Sequence, residues 1–461
     1  MDFEPTAEVA ALRERVLNFM DAEIYPAERE LMEALDAEVG PGVPYPANLG
    51  AVRAKAREAG LWNLFMPDER FGPGLKNWEY GLLCEEMGRS PMVAPMAFNC
   101  SAPDTGNMEI LAEHGSEEQR QRWLEPALEG RIRTCFSMTE PEVSGSDPTL
   151  LQGRAVLDGD EWVIDAHKWY TSGAVGAELA IAMVVTNPEA PPYARASMIC
   201  VPTDTPGYEL VRPIPVMGHD KGPGHCEIRY TECRVPKENV LGERGAGFAI
   251  AQDRLGPGRI HHCMRAIGSA ERALEMMCRR ANERHAFGGP LADKQFVQED
   301  IAQSRMEIDQ ARLLTLYAAW KMDTEGKRAA RQSISAIKVV AANMVMNVLD
   351  RAIQIHGSLG MTDDTPLAPM WRFSRMLRLA DGPDEVHKMV LARRELNRWS
   401  KRAEAEASGE ELDPRPPPRM VGAGPRFSPP VTVTSALPDP RSSPTGAIRP
   451  DRDKDEMRAG S

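Results

Sequence analysis

The chain of 461 residues is 42% hydrophobic and 27% charged, with a formal net charge of −13. This length allows about three domains, each with its own core, and the composition is that of a globular protein. The acidic field disfavours nucleic acid and anionic membrane as partners. Residues 1–26 lack the apolar core of a signal peptide, and no run reads as a membrane span, so we expect a cytoplasmic protein.

The eight cysteines form no C-x-x-C pair, which favours free thiols in a reducing compartment over disulfides. The chain also lacks an H-E-x-x-H motif. His261, His262 and Cys263 are adjacent, but neighbouring residues on a helix point in different directions and rarely bind one metal. We therefore expect no metal site.

Helical periodicity dominates residues 1–131. Apolar residues recur at a spacing of three and four in residues 11–24, 48–61, 78–90 and 116–130. Ser116 and Gln119 have the spacing of a capping box at a helix N-terminus. The pattern predicts an N-terminal helical domain over 1–131.

The pattern changes between residues 132 and 245. Short β-branched or aromatic runs are separated by Gly, Pro and Asn, at 161–173, 178–188, 196–216 and 225–236. Dense turns without intervening helices predict a middle domain built as an antiparallel sheet or barrel.

Long helical periods return from 246 to 401 with short breaks, which is typical of an antiparallel four-helix bundle. Residues 402–461 are rich in Pro, Gly and Ser and have little to bury, so we expect a mobile tail. The predicted fold class is mainly α with a β insert. A cleft is expected where the β domain meets the helical ones.

Two polar turns in or near the β region are candidate ligand contacts. TEPEVSGSD (139–147) offers the hydroxyls of Thr139 and Ser146, although most such clusters are ordinary turns. In HKWYTSGA (167–174), Trp169 can stack on a planar ring and Thr171 can hydrogen-bond the edge of that ring. The alternative is a strand-end tryptophan packed in the core.

Three further motifs lie in the C-terminal helices. GPGRIHHCMR (256–265) interrupts the helical pattern before Arg259, ERHAFGGPLADKQ (283–295) contains Arg284 and Gln295, and AIQIHGSLG (352–360) ends in a glycine turn that a phosphate can approach closely. Dinucleotide-binding G-x-G-x-x-G and P-loop patterns are absent from the sequence, so any dinucleotide must be held in another way.

RLADGPDEVH (378–387) joins two helical runs through a breaker with several carboxylates. One interpretation is helix capping, in which Asp381 or Gly382 ends one helix while Asp384 and Glu385 suit the positive N-terminus of the next. The other is that a carboxylate of this loop acts as a base.

The order of these motifs resembles that of the acyl-CoA dehydrogenase family over residues 1–400. TEPEVSGSD is similar to the family's T-E-P-x-A-G-S-D turn but is one residue longer. HKWYTSGA is similar to K-x-W-I-T-N-G, ERHAFGGPLADKQ to R-x-x-F-G-x-x-L-x-x-x-Q, and AIQIHGSLG to Q-x-x-G-G-x-G. CRVPKENVLGERGAGF (233–248) also fits the family pattern. The resemblance implies FAD, an acyl-CoA substrate, an electron-transfer flavoprotein as acceptor, and a homo-oligomer, either a dimer or a dimer-based tetramer.

The resemblance also implies roles for individual residues. Arg284, Gln295 and the Gln354–Gly357 turn are expected to bind FAD of the neighbouring subunit. RLADGPDEVH lies where the family has its Y-E-G-T loop, which makes Asp381 the expected catalytic base. The full expected set for the cofactor is Phe136, Met138, Thr139, Ser146, Trp169, Tyr170, Thr171, Arg284, Gln295, Gln354, Gly357, Ser358, Pro383 and Glu385. For the substrate it is Ser146, Arg259, Gly382 and Arg393.

Asp381 replaces the usual glutamate, which withdraws the carboxylate by about 1.5 Å. Some relatives place the base just before the helix arginine, but that position is Gly258 here. We expect an apolar cleft to raise the pKa of Asp381 and strengthen it as a base.

Three functions are compatible with the resemblance. The first is α,β-desaturation of an acyl-CoA. The second is a lyase-like elimination of phosphate from a 4-phosphoacyl-CoA, because LADGPDEVH and GPGRIHHCMR look most like a subgroup fused in larger relatives to an aminoglycoside-phosphotransferase-like kinase domain. The third is a non-catalytic flavoprotein or acyl-CoA-binding scaffold.

Overall fold

The computed structural model describes residues 4–407, and its N-terminal part is helical as predicted. Thr6 caps the first helix, accepting the N–H of Val9 at 3.3 Å, and the predicted capping box of Ser116 and Gln119 is present. The helices are α1 (Ala7–Phe19), α2 (Glu28–Glu38), α3 (Ala47–Glu58), α4 (Asn77–Gly88), α5 (Ala94–Ala97), α6 (Asp104–His114), α7 (Glu117–Gln119) and α8 (Glu125–Leu128).

An eight-stranded sheet follows. Its strands are β1 (Thr134–Ser137), β2 (Arg154–Asp158), β3 (Glu161–Ser172), β4 (Leu179–Val185), β5 (Ala196–Pro202), β6 (Tyr208–Pro213), β7 (His225–Pro236) and β8 (Val240–Leu241). The spatial order is β6-β7-β3-β2-β4-β5-β8, with β1 paired to β4. Most pairs are antiparallel as predicted. The β1–β4 pair and the short β2–β4 contact are the parallel ones.

Long helices form the C-terminal part: α9 (Gly247–Glu283), α10 (Gln295–Glu325), α11 (Lys327–His356), α12 (Leu367–Arg375) and α13 (Asp384–Ala407). A small hairpin of β9 (His285–Ala286) and β10 (Gly289–Pro290) joins α9 to α10. The predicted interruption at 256–258 is wrong as a helix break, because α9 continues through Pro257. The predicted tail also begins too early, since residues 402–407 continue α13; its remainder, 408–461, lies outside the described residues.

Helices α4 and α9 approach each other unusually closely. A Cβ on Gly268 would lie 1.9 Å from the Glu85 carbonyl oxygen, and one on Gly88 would lie 2.3 Å from the Arg265 carbonyl oxygen. Only glycine allows this separation. The contact fixes the face of α9 that carries Arg265, which matters for the site below.

The segment Lys327–Met361, which includes α11, is long and apolar enough to cross a membrane by length and composition, contrary to our expectation that no run would be. Within the most apolar stretch of this segment, 61% is buried against the rest of the described chain. An interior helix of a bundle has the same composition, so this helix is weak support for a membrane span.

Candidate active site

The loop between α12 and α13 holds Asp381 in an uncommon backbone conformation. Its φ is +56°, and that of Gly382 is +97°. Left-handed backbone at a non-glycine residue costs energy and persists where neighbouring contacts enforce it. Two donors supply that restraint, since Arg259 Nε lies 3.0 Å and His387 Nε2 3.2 Å from the Asp381 carbonyl oxygen.

Asp384 lies in the first turn of α13, where the capping interpretation expects a carboxylate. Its buried carboxylate accepts hydrogen bonds from Arg378 Nε at 2.8 Å and Asn343 Nδ2 at 3.0 Å, which ties the start of α13 to α11 and to the preceding turn. Asp381 makes a different contact, with its Oδ2 lying 3.4 Å from His262 Nε2. Helix capping does not require this side-chain contact.

Basic side chains surround the Asp381 carboxylate. Burial acts to raise its pKa, but His262, Arg254, Arg259 and Lys338 outweigh that effect and hold the pKa below the ordinary value of an aspartate. Our expectation of a raised pKa is wrong, because the cleft beside the base is cationic and not apolar. Asp381 is consequently ionised at neutral pH.

The residues expected at the flavin lie at the ends of β1 and β3. Phe136 is half-buried beneath the Arg254 guanidinium, 4.4 Å from the ring centroid. Trp169 is only partly buried, and the neighbouring Tyr170 is 46% exposed with a φ of +55°. Trp169 is thus not the core tryptophan of the alternative interpretation. The Thr139 carbonyl oxygen accepts the Trp169 N–H at 2.8 Å, which joins the two polar turns.

The two expected hydroxyl groups have different surroundings. Thr171 is fully buried, and its Oγ1 pairs with Ser137 Oγ at 3.0 Å. The expected hydrogen bond from Thr171 to a flavin stays a prediction. Ser146 is exposed and its hydroxyl pairs with Ser144 at 2.7 Å.

The residues expected to act across a subunit boundary gather at one end of the bundle. Because α9, α10 and α11 are consecutive and alternate in direction, Arg284, Gln295 and Gln354 all lie at the same end, with Gly357 and Ser358 just beyond α11. All five are exposed, and Gly357 has a φ of +65° with open space beside it. Phe287 and Phe296, between and beside them, are 98% and 88% exposed.

This end lies far from Asp381. Arg259, which contacts the Asp381 backbone, and Arg284 are separated along α9 by about 37 Å at 1.5 Å per residue. Of the other expected residues, Gly382 and Pro383 are half-buried in the loop, while Glu385 and Arg393 lie exposed on α13. The structure brings Arg259 to the base but leaves Arg393 on the helix surface.

Sequence reasoning missed several groups at the base. Three basic residues of α9 are spaced three apart, which places them on one face of the helix: Arg259, His262 and Arg265. His262 was considered only as a metal ligand. Lys338 and Arg254 belong to no recognisable local motif in the sequence. In the structure, the Lys338 ammonium donates to the Leu377 carbonyl oxygen.

A second missed group is a buried ion pair beneath the β1–β3 junction. Lys168 Nζ lies 2.7 Å from Glu140 Oε1, and both side chains are almost completely buried. Glu140 belongs to the TEPEVSGSD turn, so this pair ties the turn to β3.

Glu113, His114 and Asp253 bring three possible metal-ligand atoms within 4.8 Å of one another. The Lys327 ammonium lies 3.4 Å from both carboxylates, and His114 lies 3.3 Å from Asp253. A lysine among the ligands opposes a cation, so this cluster is best described as an ion-pair network.

Known proteins resemble this chain over all three parts. Residues 6–131, 135–233 and 245–396 match, in turn, the family descriptions "Acyl-CoA dehydrogenase, N-terminal domain", "middle domain" and "C-terminal domain". A Mycobacterium tuberculosis protein named "Probable acyl-CoA dehydrogenase FadE2" is 49% identical over 400 residues, covering 86% of this chain and 98% of that relative. Human "Acyl-CoA dehydrogenase family member 11" is 45% identical over 399 residues, covering 85% of this chain but 51% of the relative.

Solved structures agree. A Mycobacterium abscessus protein assigned to the acyl-CoA dehydrogenases has a TM-score of 0.82 at 49% identity, covering 86% of this chain and 100% of that one. Butyryl-CoA dehydrogenase from Megasphaera elsdenii has a TM-score of 0.73 at 25% identity, with the same coverage. The chain therefore belongs to the acyl-CoA dehydrogenase family of FAD-dependent oxidoreductases that act on CH–CH bonds.

Proposed function

We propose that Asp381 is the base that removes the α-proton of an acyl-CoA thioester during α,β-desaturation. The observation that carries this proposal is a carboxylate held in strained backbone by two donors to its own carbonyl oxygen. Its lowered pKa keeps it ionised and able to accept a proton. The same basic groups favour the negative charge that develops on the thioester as the proton leaves. FAD, when bound, supplies the hydride acceptor for the β-carbon.

The residues present fit FAD. Near the turn that carries Thr139, Trp169 is partly exposed and Tyr170 is 46% exposed, and Met138 lies half-buried beside it. The exposed Arg284, Gln295 and Gln354 form a polar surface at the far end of the bundle. That distance argues that the two groups serve different FAD molecules, one held by each subunit of a dimer. Phe287 and Phe296 are apolar side chains that such a partner would cover.

Finer assignments remain part of the proposal. We infer domain borders near residues 131 and 245, an electron-transfer flavoprotein as acceptor, and a dimer or tetramer. Free thiols at all eight cysteines fit a cytoplasmic location. Cell fractionation tests the location, and sedimentation of the holoprotein tests the assembly.

The decisive experiment replaces Asp381. Asp381→Asn keeps the shape but cannot take a proton, so we expect the protein to fold and retain FAD while flavin reduction by acyl-CoA falls at least ~10³-fold. Asp384→Asn is the matched control in the same loop, because it weakens the contacts to Arg378 and Asn343 and should lower stability while proton transfer continues. Near-normal α-proton exchange in Asp381→Asn would refute the assignment and show that another group removes the proton.

Asp381→Glu tests the fit of the shorter side chain. If the loop has moved to suit aspartate, the longer carboxylate overshoots the α-carbon, and a displacement near 1 Å costs up to ~10²-fold. We expect flavin reduction to be slower in Asp381→Glu than in the unaltered protein. A faster Glu variant would show that the loop is not adapted to aspartate for this proton.

A second candidate is elimination of phosphate from a 4-phosphoacyl-CoA. The observation that favours it is a cluster of cations, since Arg254, Arg259 and Lys338 all face the Asp381 carboxylate, and burial lowers the pKa of each. An anionic substituent on the substrate would compensate these cations. We likewise propose that this chain is related to the kinase-fused subgroup. The chain spans about half the length of family member 11.

The two candidates differ in their products. A holoenzyme that desaturates will bleach its flavin with an acyl-CoA and pass electrons to an added acceptor. An eliminating enzyme will release phosphate from a 4-phosphoacyl-CoA without any acceptor. A panel of straight, branched, 4-hydroxy and 4-phospho acyl-CoAs, with flavin absorbance and phosphate followed together, separates them.

A further inference from the structure

A short chain of polar contacts on α9 ends at the Asp381 carboxylate. Arg265 Nη2 lies 3.1 Å from His262 Nδ1, and His262 Nε2 lies 3.4 Å from Asp381 Oδ2. The arginine and the histidine are three residues apart, so they share one face of the helix. This chain of contacts reaches the side chain of Asp381, whereas Arg259 and His387 contact its backbone.

The direction of these contacts follows from the chemistry of the groups. A guanidinium has only donors, so His262 Nδ1 must accept from Arg265. Burial, with the nearby Arg265, lowers the pKa of His262 to about 3, so the ring is neutral at physiological pH. A neutral imidazole with an accepting Nδ1 carries its proton on Nε2. That N–H faces the Asp381 carboxylate.

Arg265 is itself held in place. It is almost completely buried, its Nη1 points to the Cys100 carbonyl oxygen at 3.4 Å, and its backbone lies against Gly88 in the close α4–α9 contact. The contact fixes the Arg265 backbone, and burial together with the hydrogen bond to Cys100 restricts its side chain. The tautomer of His262 is therefore set by a buried arginine.

We propose that His262 is a positioning residue, which holds the Asp381 carboxylate through Nε2–H so that its other oxygen faces the α-carbon of the substrate. This inference rests on the proposed function of Asp381. The 3.4 Å separation is longer than a formed hydrogen bond, and such contacts commonly tighten when the substrate binds. A fixed rotamer matters more for aspartate than for glutamate here, because the shorter side chain has less reach to correct an error of position.

His262 does not take the proton onward, because its Nε2 already carries one and its Nδ1 is occupied by Arg265. The proton removed from the substrate stays on Asp381 during this step. Charged and titratable groups that also face the carboxylate are Arg254, Arg259, Lys338 and, from α13, His387. Since a hydrogen bond to the ionised form lowers a pKa, loss of the His262 donor should raise the pKa of Asp381.

The test compares His262→Gln with His262→Asn in the FAD-loaded protein. The glutamine amide can replace the Nε2 donor, whereas the asparagine amide ends near the position of Nδ1 and cannot reach Asp381. His261→Gln is the control, because the adjacent His261 is buried but packs edge-on against Tyr80, with 4.7 Å between the ring centroids. The readouts are the rate of flavin reduction and its pH dependence. The substrate is the acyl-CoA that reduces the flavin fastest in a panel from butyryl-CoA to palmitoyl-CoA.

We expect His262→Asn to slow flavin reduction by ~10- to 100-fold with little change in substrate Kd, and to move the acid limb of the pH profile upward. His262→Gln should recover most of the rate and the original limb, and His261→Gln should retain both. Equal rates and limbs in the Asn and Gln variants, with Asp381→Asn inactive, would overturn the role of His262 and leave the base in place. Activity in Asp381→Asn would instead remove the proposed function itself.

Discussion

Replacing Lys168 by methionine removes a buried cation from the junction of β1 and β3. The ammonium uses all three of its protons, toward the Met138 carbonyl oxygen at 3.0 Å, Glu140 Oε1 at 2.7 Å and the Met183 carbonyl oxygen at 2.7 Å. Lys168 has no accessible surface and Glu140 is 2% exposed. The substitution thus leaves a buried carboxylate without its counterion.

The cost can be worked from these contacts. Removing one partner of a buried ion pair costs about 3–5 kcal/mol. Glu140 still accepts backbone N–H groups from Gln152 at 2.7 Å and Gly153 at 2.9 Å, so we expect the lower figure, about 3 kcal/mol. At about 2.1 cal/mol/K of unfolding entropy per residue, a compact unit the size of residues 1–399 shifts by roughly 1.2 °C per kcal/mol, so the unfolding midpoint should fall by roughly 4 °C.

Flavin retention should fall with it, because the pair holds the turn carrying Thr139 against the strand carrying Trp169. The assay is thermal unfolding of the holoprotein with flavin release followed by fluorescence. Lys237→Met is the control, since the Lys237–Asp160 pair is exposed on the same sheet and should matter little. Glu140→Leu combined with Lys168→Met should cost less than the sum of the single changes. The reasoning would be refuted if the stability losses of the two single variants simply add in the double variant, or if the unfolding midpoint of Lys168→Met is unchanged.

Three further predictions concern the cofactor, the assembly and the base. The protein should purify yellow with about one FAD per chain, and a colourless preparation that takes up no added FAD would contradict this. Arg284→Ala should weaken both FAD retention and the dimer in absorbance and sedimentation measurements, while Arg328→Ala, exposed at the opposite end of the bundle, should change neither. The lowered pKa of Asp381 means that it keeps its charge until the pH falls below the ordinary range of an aspartate. The acid side of kcat/KM should therefore be flat from mildly acidic to neutral pH, and an acid limb near neutrality would show that another group controls the step.

The sequence by itself determined the order of the secondary structure. Apolar spacing identified the helices of residues 1–131 and 246–401, and short β-branched runs identified β3, β4 and β7 close to their observed bounds, because these periodicities follow from backbone geometry alone. The run 196–216 contains two strands, β5 and β6. The motif order also identified the loop of Asp381. The GPG run was misjudged as a break, since α9 continues through Pro257.

Only the tertiary structure decided what surrounds the base. Arg254, His262 and Lys338 come from α9 and α11, far from Asp381 in the chain, and their joint field lowers a pKa that the loop sequence suggested would rise. Packing likewise decided that the Thr171 hydroxyl pairs with Ser137. Local patterns report which backbone a segment prefers. The pKa and orientation of a side chain depend on charges and contacts that folding brings together from distant segments, and no local pattern contains them.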